Sequence, residues 1–199
     1  MRYLLVTGEH VRAPGTVSTM IDVRRAGLED ADEVIRLRAV MLAGMNGTWP
    51  APGPWQRTGA DLLRRQLGDP GGSAAAFVVD DPGQPGRLAA CVVGAIDQRL
   101  PGPHNPTGRV GYVYNVATDP GHRRRGYSRA CLTALLAWYD DQGITTVDLR
   151  ASADGEPLYA ELGFARTRYP AMRRARPTPT APHTRDHAVV VPDKSHLPR

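Results

Sequence analysis

The chain has 199 residues, 41% hydrophobic and 23% charged, which suits one folded domain and excludes a wholly disordered chain. The 25 Lys and Arg against 20 Asp and Glu give a net charge of +5, which permits contact with phosphates or nucleic acid without requiring it. No run of about 18 apolar residues exists, and Tyr3-Leu4-Leu5-Val6 is too short for a secretory core of roughly 7–15 residues, so the expectation is a cytoplasmic protein without membrane contact.

Residues 1–20 show no sustained period and contain Ala13-Pro14-Gly15-Thr16, which reads as a mobile leader; a strand is expected from Met20-Ile21-Asp22-Val23-Arg24. Glu29, Asp30, Asp32 and Glu33 supply an acidic first turn, and Val34, Leu37, Met41 and Leu42 follow at helical spacing, predicting a first helix. Residues 44–59 carry Trp49-Pro50, Pro52-Gly53-Pro54 and Trp55 and read as a lid-like loop. Thr58 and Asp61 have capping-box spacing and open a short second helix through Leu62, Leu63 and Leu67 to Gly68. Residues 74–79 and 88–96, joined by the turn at 81–86, predict an antiparallel hairpin, and residues 109–117 a third long strand. Cys131, Leu132, Leu135, Leu136 and Tyr139 then mark a helix ending at Gly143, followed by a strand over 145–149 and a two-turn helix over 157–162. Residues 164–167 and 171–174 are expected to supply two short closing strands. The periodic pattern stops near residue 175, giving a domain over 21–175 and a Pro-rich, disordered tail over 176–199. Cys91 and Cys131 lack CxxC spacing, so neither a disulfide framework nor a metal site is expected.

The segment richest in chemistry is Val116-Ala117-Thr118-Asp119-Pro120-Gly121-His122-Arg123-Arg124-Arg125-Gly126-Tyr127-Ser128-Arg129-Ala130, which joins a strand to a helix. A glycine-containing turn at a helix start offers several backbone N–H groups to one anion and suits a pyrophosphate. No Gly-Lys-Ser/Thr or GxGxxG is present, so neither a P-loop nor a Rossmann loop is indicated. An ordinary solvated turn with a basic face reads equally well from composition alone.

Arg123-Arg124-Arg125-Gly126-Tyr127-Ser128 resembles the loop of the GCN5-related N-acetyltransferases, Gln/Arg-x-x-Gly-x-Gly/Ala, with Ser128 in place of the usual second Gly or Ala. A second match lies in residues 151–164, where Tyr159 follows a helix turn that Leu162-Gly163-Phe164 closes. The resemblance covers roughly residues 21–175. It implies an α/β (α+β) fold with a mixed, largely antiparallel central sheet flanked by helices and splayed at the cofactor-binding strand. It implies acetyl-CoA as cosubstrate and a primary amine as acceptor, joined by direct transfer in a ternary complex. Backbone groups of Val116, Ala117 and Thr118 would pair with the pantetheine arm. Arg123 begins the loop, and the amides of Arg124, Arg125, Gly126, Tyr127, Ser128 and Arg129 would hold the pyrophosphate. Ser152 stands where many relatives carry an Asn touching the cofactor, and Tyr159 matches the general acid that protonates the departing thiolate.

Many relatives use a strand glutamate near Tyr114 or Asn115 as base, but residues 109–118 hold no carboxylate. Asp97, Glu29, Glu33 or a water chain past Asn115 are the substitutes available. That gap motivates a second reading, a non-catalytic coenzyme A-binding regulator. A third, a basic nucleic-acid-binding protein gripping phosphates through Arg123-Arg124-Arg125 and Arg173-Arg174, lacks any RNP, helix-turn-helix or zinc pattern and is disfavoured. A homodimer is compatible with the resemblance; the acceptor and the role of the two termini are not legible.

Overall fold

A computed structural model of the protein describes residues 21–175; the leader at 1–20 and the tail at 176–199 lie outside the described residues. Five strands form one sheet in sequence order: β1 (Arg24–Arg25), β2 (Ala74–Asp80), β3 (Leu88–Gln98), β4 (Arg109–Thr118) and β5 (Val147–Leu149). The first four pair antiparallel and β5 lies parallel to β4, so the sheet is mixed and largely antiparallel. A parallel partner needs a crossover, which α3 (Tyr127–Asp141) supplies.

Helices α1 (Ala31–Asn46) and α2 (Pro54–Leu67) cover one face of the sheet, with Val34, Leu37, Val40 and Leu63 packed against Val78, Leu88, Cys91 and Val93. Helix α3 covers the other face with Cys131, Leu132, Leu135 and Tyr139, joined by α4 (Glu156–Glu161) through Leu158 and Tyr159. Tyr139 requires two glycines. A Cβ at Gly111 would stand 2.8 Å from its ring, and one at Gly94 would collide with its hydroxyl, which donates to the carbonyls of Ala95 and Tyr112 at 3.1 Å each.

Three expectations are corrected. Helix α2 is not short: it starts at Pro54 and runs 14 residues, because proline suits the first helical position and the Gly53 amide donates to the Gln56 side chain at 2.7 Å. Thr58 is therefore inside a helix, Leu62 is exposed, and the lid-like loop shrinks to residues 47–53. Trp49 is 66% exposed, while Trp55 sits in α2, packs on the core and donates its indole N–H to the Ala51 carbonyl at 3.0 Å. Finally, residues 164–167 and 171–174 form no strand. Phe164 packs on Tyr159 without entering a strand, and Pro170, between the two segments, lacks an N–H to donate.

The chain divides after Ala165. In the described part of the second unit, residues 166–175, Thr167 donates its hydroxyl to the Tyr169 carbonyl and the Arg168 guanidinium lies 5.7 Å from the Tyr169 ring centre.

Candidate active site

β4 carries one residue more than its partner. Val93 pairs with Asn115 but Gly94 pairs with Val113, leaving Tyr114 as the extra residue of a β-bulge. Successive strand residues normally face opposite ways; the bulge instead turns Tyr114 and Asn115 both toward α1 and α2. The Tyr114 hydroxyl donates to the Gln66 side chain at 3.2 Å. Burial pushes its phenol pKa up, Arg38 opposes that and Asp97 adds to it. Asn115 is buried and donates its Nδ2 to Cys91 Sγ at 3.3 Å.

On the far side of β4, pairing with β5 covers only Gly111, Tyr112 and Val113. From Tyr114 to Thr118 that edge has no strand beside it among the described residues, so its backbone groups are open to an extended ligand.

This edge forms one wall of a cavity of about 1030 Å³, within the range that holds a large cofactor. Val116, Ala117 and Thr118 line it from β4. Arg123, Arg124, Gly126, Tyr127, Ser128 and Arg129 line it from the loop and the start of α3, and Ser152 and Tyr159 from the opposite side. Val40, Met41 and Met45 of α1 close it. Arg125, expected beside them, is exposed and does not line the cavity.

The loop has the geometry of an anion site. Arg124 has φ 62° and Gly126 φ 83°, left-handed conformations that turn successive amides inward, and only glycine takes the second without strain. Gly126 is the cap of α3 and offers no side chain to its first amides, so those donors remain for a ligand. Ser128, the departure from the family pattern, bonds Thr118 Oγ1 at 2.6 Å and ties the helix start to the end of β4. Arg129 is ion-paired with Glu161 of α4.

A polar cluster beneath the loop escaped sequence reasoning. Asp119 receives Arg36 from α1 at 2.9 Å and Arg87 from the β2–β3 hairpin at 3.1 Å. Burial would raise its pKa, but those two arginines and the Gly121 amide hold it below the usual carboxylate range. His122 donates Nε2 to Asp81 at 3.1 Å and stacks on Tyr127 with ring centres 6.0 Å apart. Asp81 is held low first by the Gly83 amide and then by His122. The local signal was there, in Asp81-Pro82-Gly83 as an Asx turn, but nothing in the sequence pairs that turn with residue 122.

Tyr159 packs edge-on against Phe164 at 6.0 Å, and its ring leaves little room at Gly155, where a Cβ would lie 3.0 Å away. Its hydroxyl makes no hydrogen bond among the described residues, and burial pushes its pKa up, so it holds its proton at neutral pH. The Ser152 hydroxyl accepts from the Gly155 amide at 3.2 Å, which shapes the turn into α4. Of the proposed bases, Glu33 is engaged by Arg36 at 2.9 Å and by the Leu88 amide at 3.0 Å, and Asp97 is half-exposed with Arg99 3.9 Å away.

The profile of the acetyltransferase (GNAT) family matches residues 42–164, more than half of the chain. The chain belongs to that family. A predicted acetyltransferase from Clostridium acetobutylicum, solved with acetyl-CoA, is similar at 22% identity and TM-score 0.67, over 78% of this chain and 96% of that one. A GCN5-related N-acetyltransferase from Ralstonia eutropha is similar at 25% identity and TM-score 0.61, over 77% and 97%. A ribosomal-protein-alanine N-acetyltransferase from Brucella melitensis is similar at 23% identity and TM-score 0.55, over 78% and 99%. No curated protein matches. No helix of the described residues is long and apolar enough to cross a membrane.

Proposed function

We propose that the protein transfers acetyl from acetyl-CoA to a primary amine, on a small molecule or a peptide, by direct attack in a ternary complex. The reading rests on one observation: the open edge of β4, the uncapped start of α3 and Tyr159 line the same cavity. The N-acetyltransferase named for the Ralstonia eutropha relative supports nitrogen as the acceptor atom. The pantetheine arm extends along Val116, Ala117 and Thr118, while the amides of Arg124, Gly126, Tyr127, Ser128 and Arg129 take the pyrophosphate and Arg123 adds charge at the loop. Ser152 flanks the cofactor and shapes its turn.

The neutral amine nitrogen attacks the thioester carbonyl, and the resulting oxyanion meets a strand amide near Val116. The C–S bond then breaks, the thiolate takes the Tyr159 proton, the nitrogen loses one proton to water near Asn115, and solvent returns a proton to the Tyr159 phenolate to close the cycle. A phenol is a weaker acid than the thiol by about 2 kcal/mol or more, so the proton moves only as negative charge builds on sulfur. A cytoplasmic site of action follows from the cosubstrate.

The absence of a carboxylate on β4, where Asn115 stands, keeps one other reading in view, a coenzyme A-binding regulator without turnover. Titration of acetyl-CoA into the wild type and Gly126→Glu, followed by thiol release with a library of amines, separates the two. Saturable binding lost in the variant, with turnover of some amine, supports the enzyme; binding without any turnover supports the regulator. A folded wild type that does not bind acetyl-CoA overturns both.

A further inference from the structure

Six described arginines are half-buried: Arg24, Arg36, Arg38, Arg64, Arg87 and Arg109. Four of them are ion-paired, Arg24 with Asp30 and Asp80, Arg36 with Glu33 and Asp119, Arg64 with Asp32 and Asp61, and Arg87 with Asp119. Arg109 donates to the Gln142 carbonyl at 3.0 Å. Arg38, like Arg109, has no carboxylate partner among the described residues, and it lacks the short carbonyl bond that Arg109 makes. Its one hydrogen bond among the described residues is a long one, 3.4 Å from its guanidinium to Asn115 Oδ1.

One contact from β4 positions that guanidinium. The bulge at Tyr114 turns Asn115 toward α1, and the bond from Asn115 Nδ2 to Cys91 leaves Oδ1 as the atom that meets Arg38. Val116, the next residue of β4, lines the cavity, and so do Val40 and Met41, two and three residues beyond Arg38 on α1. Arg38 does not itself line the cavity; it lies on the face of β4 that α1 and α2 cover, bonded to the residue that precedes the cavity-lining Val116. Withdrawing a guanidinium from water without a counter-charge is unfavourable, and its planar fork matches carboxylate and phosphate oxygens.

We propose that Arg38 is the specificity residue of the acceptor site and that the acceptor is an amine bearing an oxyanion, a carboxylate or a phosphate, close to its amino group. This rests on the acetyltransferase reading given above. Asn115 orients the guanidinium. One guanidinium nitrogen stays on Asn115 while the other faces the oxyanion, which brings the acceptor amine toward the thioester beside Val116.

The test compares matched acceptors in a thiol-release assay: amino acids against their own amides, and O-phosphoethanolamine against ethanolamine. Acetyl-CoA binding is measured separately by titration. Wild type is expected to favour the oxyanion-bearing member of at least one pair by about tenfold or more in kcat/KM, chiefly through KM, as a charged hydrogen bond of about 1.5–3 kcal/mol implies. Which pair shows the preference distinguishes carboxylate from phosphate. In Arg38→Ala the ratio is expected to fall to about one, and in Arg38→Lys to an intermediate value, with acetyl-CoA binding confirming that each variant is folded. Equal or better use of the uncharged members by the wild type overturns the proposal, as does turnover of no oxyanion-bearing amine by a protein that binds acetyl-CoA. So does an Arg38→Ala variant that slows every acceptor alike or weakens acetyl-CoA binding, since Arg38 would then serve the cosubstrate or the fold. Failure of the wild type to bind acetyl-CoA overturns the underlying reading instead.

Discussion

Arg36 of α1 reaches Asp119, 83 residues later in the chain, at 2.9 Å, and so ties the first helix to the base of the loop that precedes α3. Arg87 reaches the same carboxylate oxygen from the β2–β3 hairpin. Asp119→Asn keeps the shape and removes the charge that both arginines share. The variant is expected to lose about 1–3 kcal/mol of stability and to bind acetyl-CoA several-fold more weakly as the loop loosens. Thermal melts and calorimetric titration read the two effects; unchanged binding in a destabilised variant would show the loop to be held by its own backbone.

Tyr159→Phe removes the hydroxyl and keeps the ring that packs on Phe164. The expected result is a fall in kcat of about 100-fold with acetyl-CoA affinity within about twofold of wild type. A kcat near wild type would assign the proton transfer to water.

Asp30 is buried and accepts from the two terminal guanidinium nitrogens of Arg24, at 2.7 and 2.8 Å. Arg24 first, and the Gly27 amide after burial's opposing effect, hold its pKa below the unfolded value near 4. The sign follows directly. The pair stabilises the fold above that pH, and the contribution is lost as pH falls through the lower, folded-state pKa. Melting temperature is expected to drop steeply below about pH 4 in the wild type. Asp30→Asn should be less stable at pH 7 by about 1–3 kcal/mol and show a flatter acid limb. Parallel acid limbs in the two proteins would remove Asp30 from the account.

Both cysteines are fully buried, and burial pushes the Cys131 thiol up to about 12 and Cys91 higher still. A thiolate nucleophile is therefore not available at neutral pH. Cys131→Ala is expected to retain turnover, and native protein to resist thiol-labelling reagents until it unfolds. Loss of activity with a preserved fold would point to an acyl-cysteine route.

The loop before α3 could be singled out as a candidate anion site because such chemistry is local: a left-handed glycine, small residues and a helix start must fall within a few positions. Tyr159 could be singled out for the same reason, standing between Gly155 and Leu162-Gly163-Phe164, and it lines the same cavity. The start of α2 was misread because Gly53-Pro54 looks like a break, although glycine and proline also open helices. The bulge at Tyr114 could not be read at all. One extra residue in β4 has meaning only against the length of β3, and it decides that Asn115 meets Arg38. Asp119 with Arg36, and His122 with Asp81, are likewise pairings made by topology across tens of residues.

The open stretch of β4 has a consequence for handling the protein. An unpaired strand edge is a template for any extended chain, including the same edge of another molecule, and sheets usually protect such edges with charge, proline or a covering element. From Tyr114 to Thr118 this edge offers Tyr, Asn, Val, Ala and Thr, none of them charged. A ligand laid along that edge would then also guard the molecule against self-association, and the expected outcome is that preparations kept with coenzyme A stay monodisperse to higher concentration than bare protein.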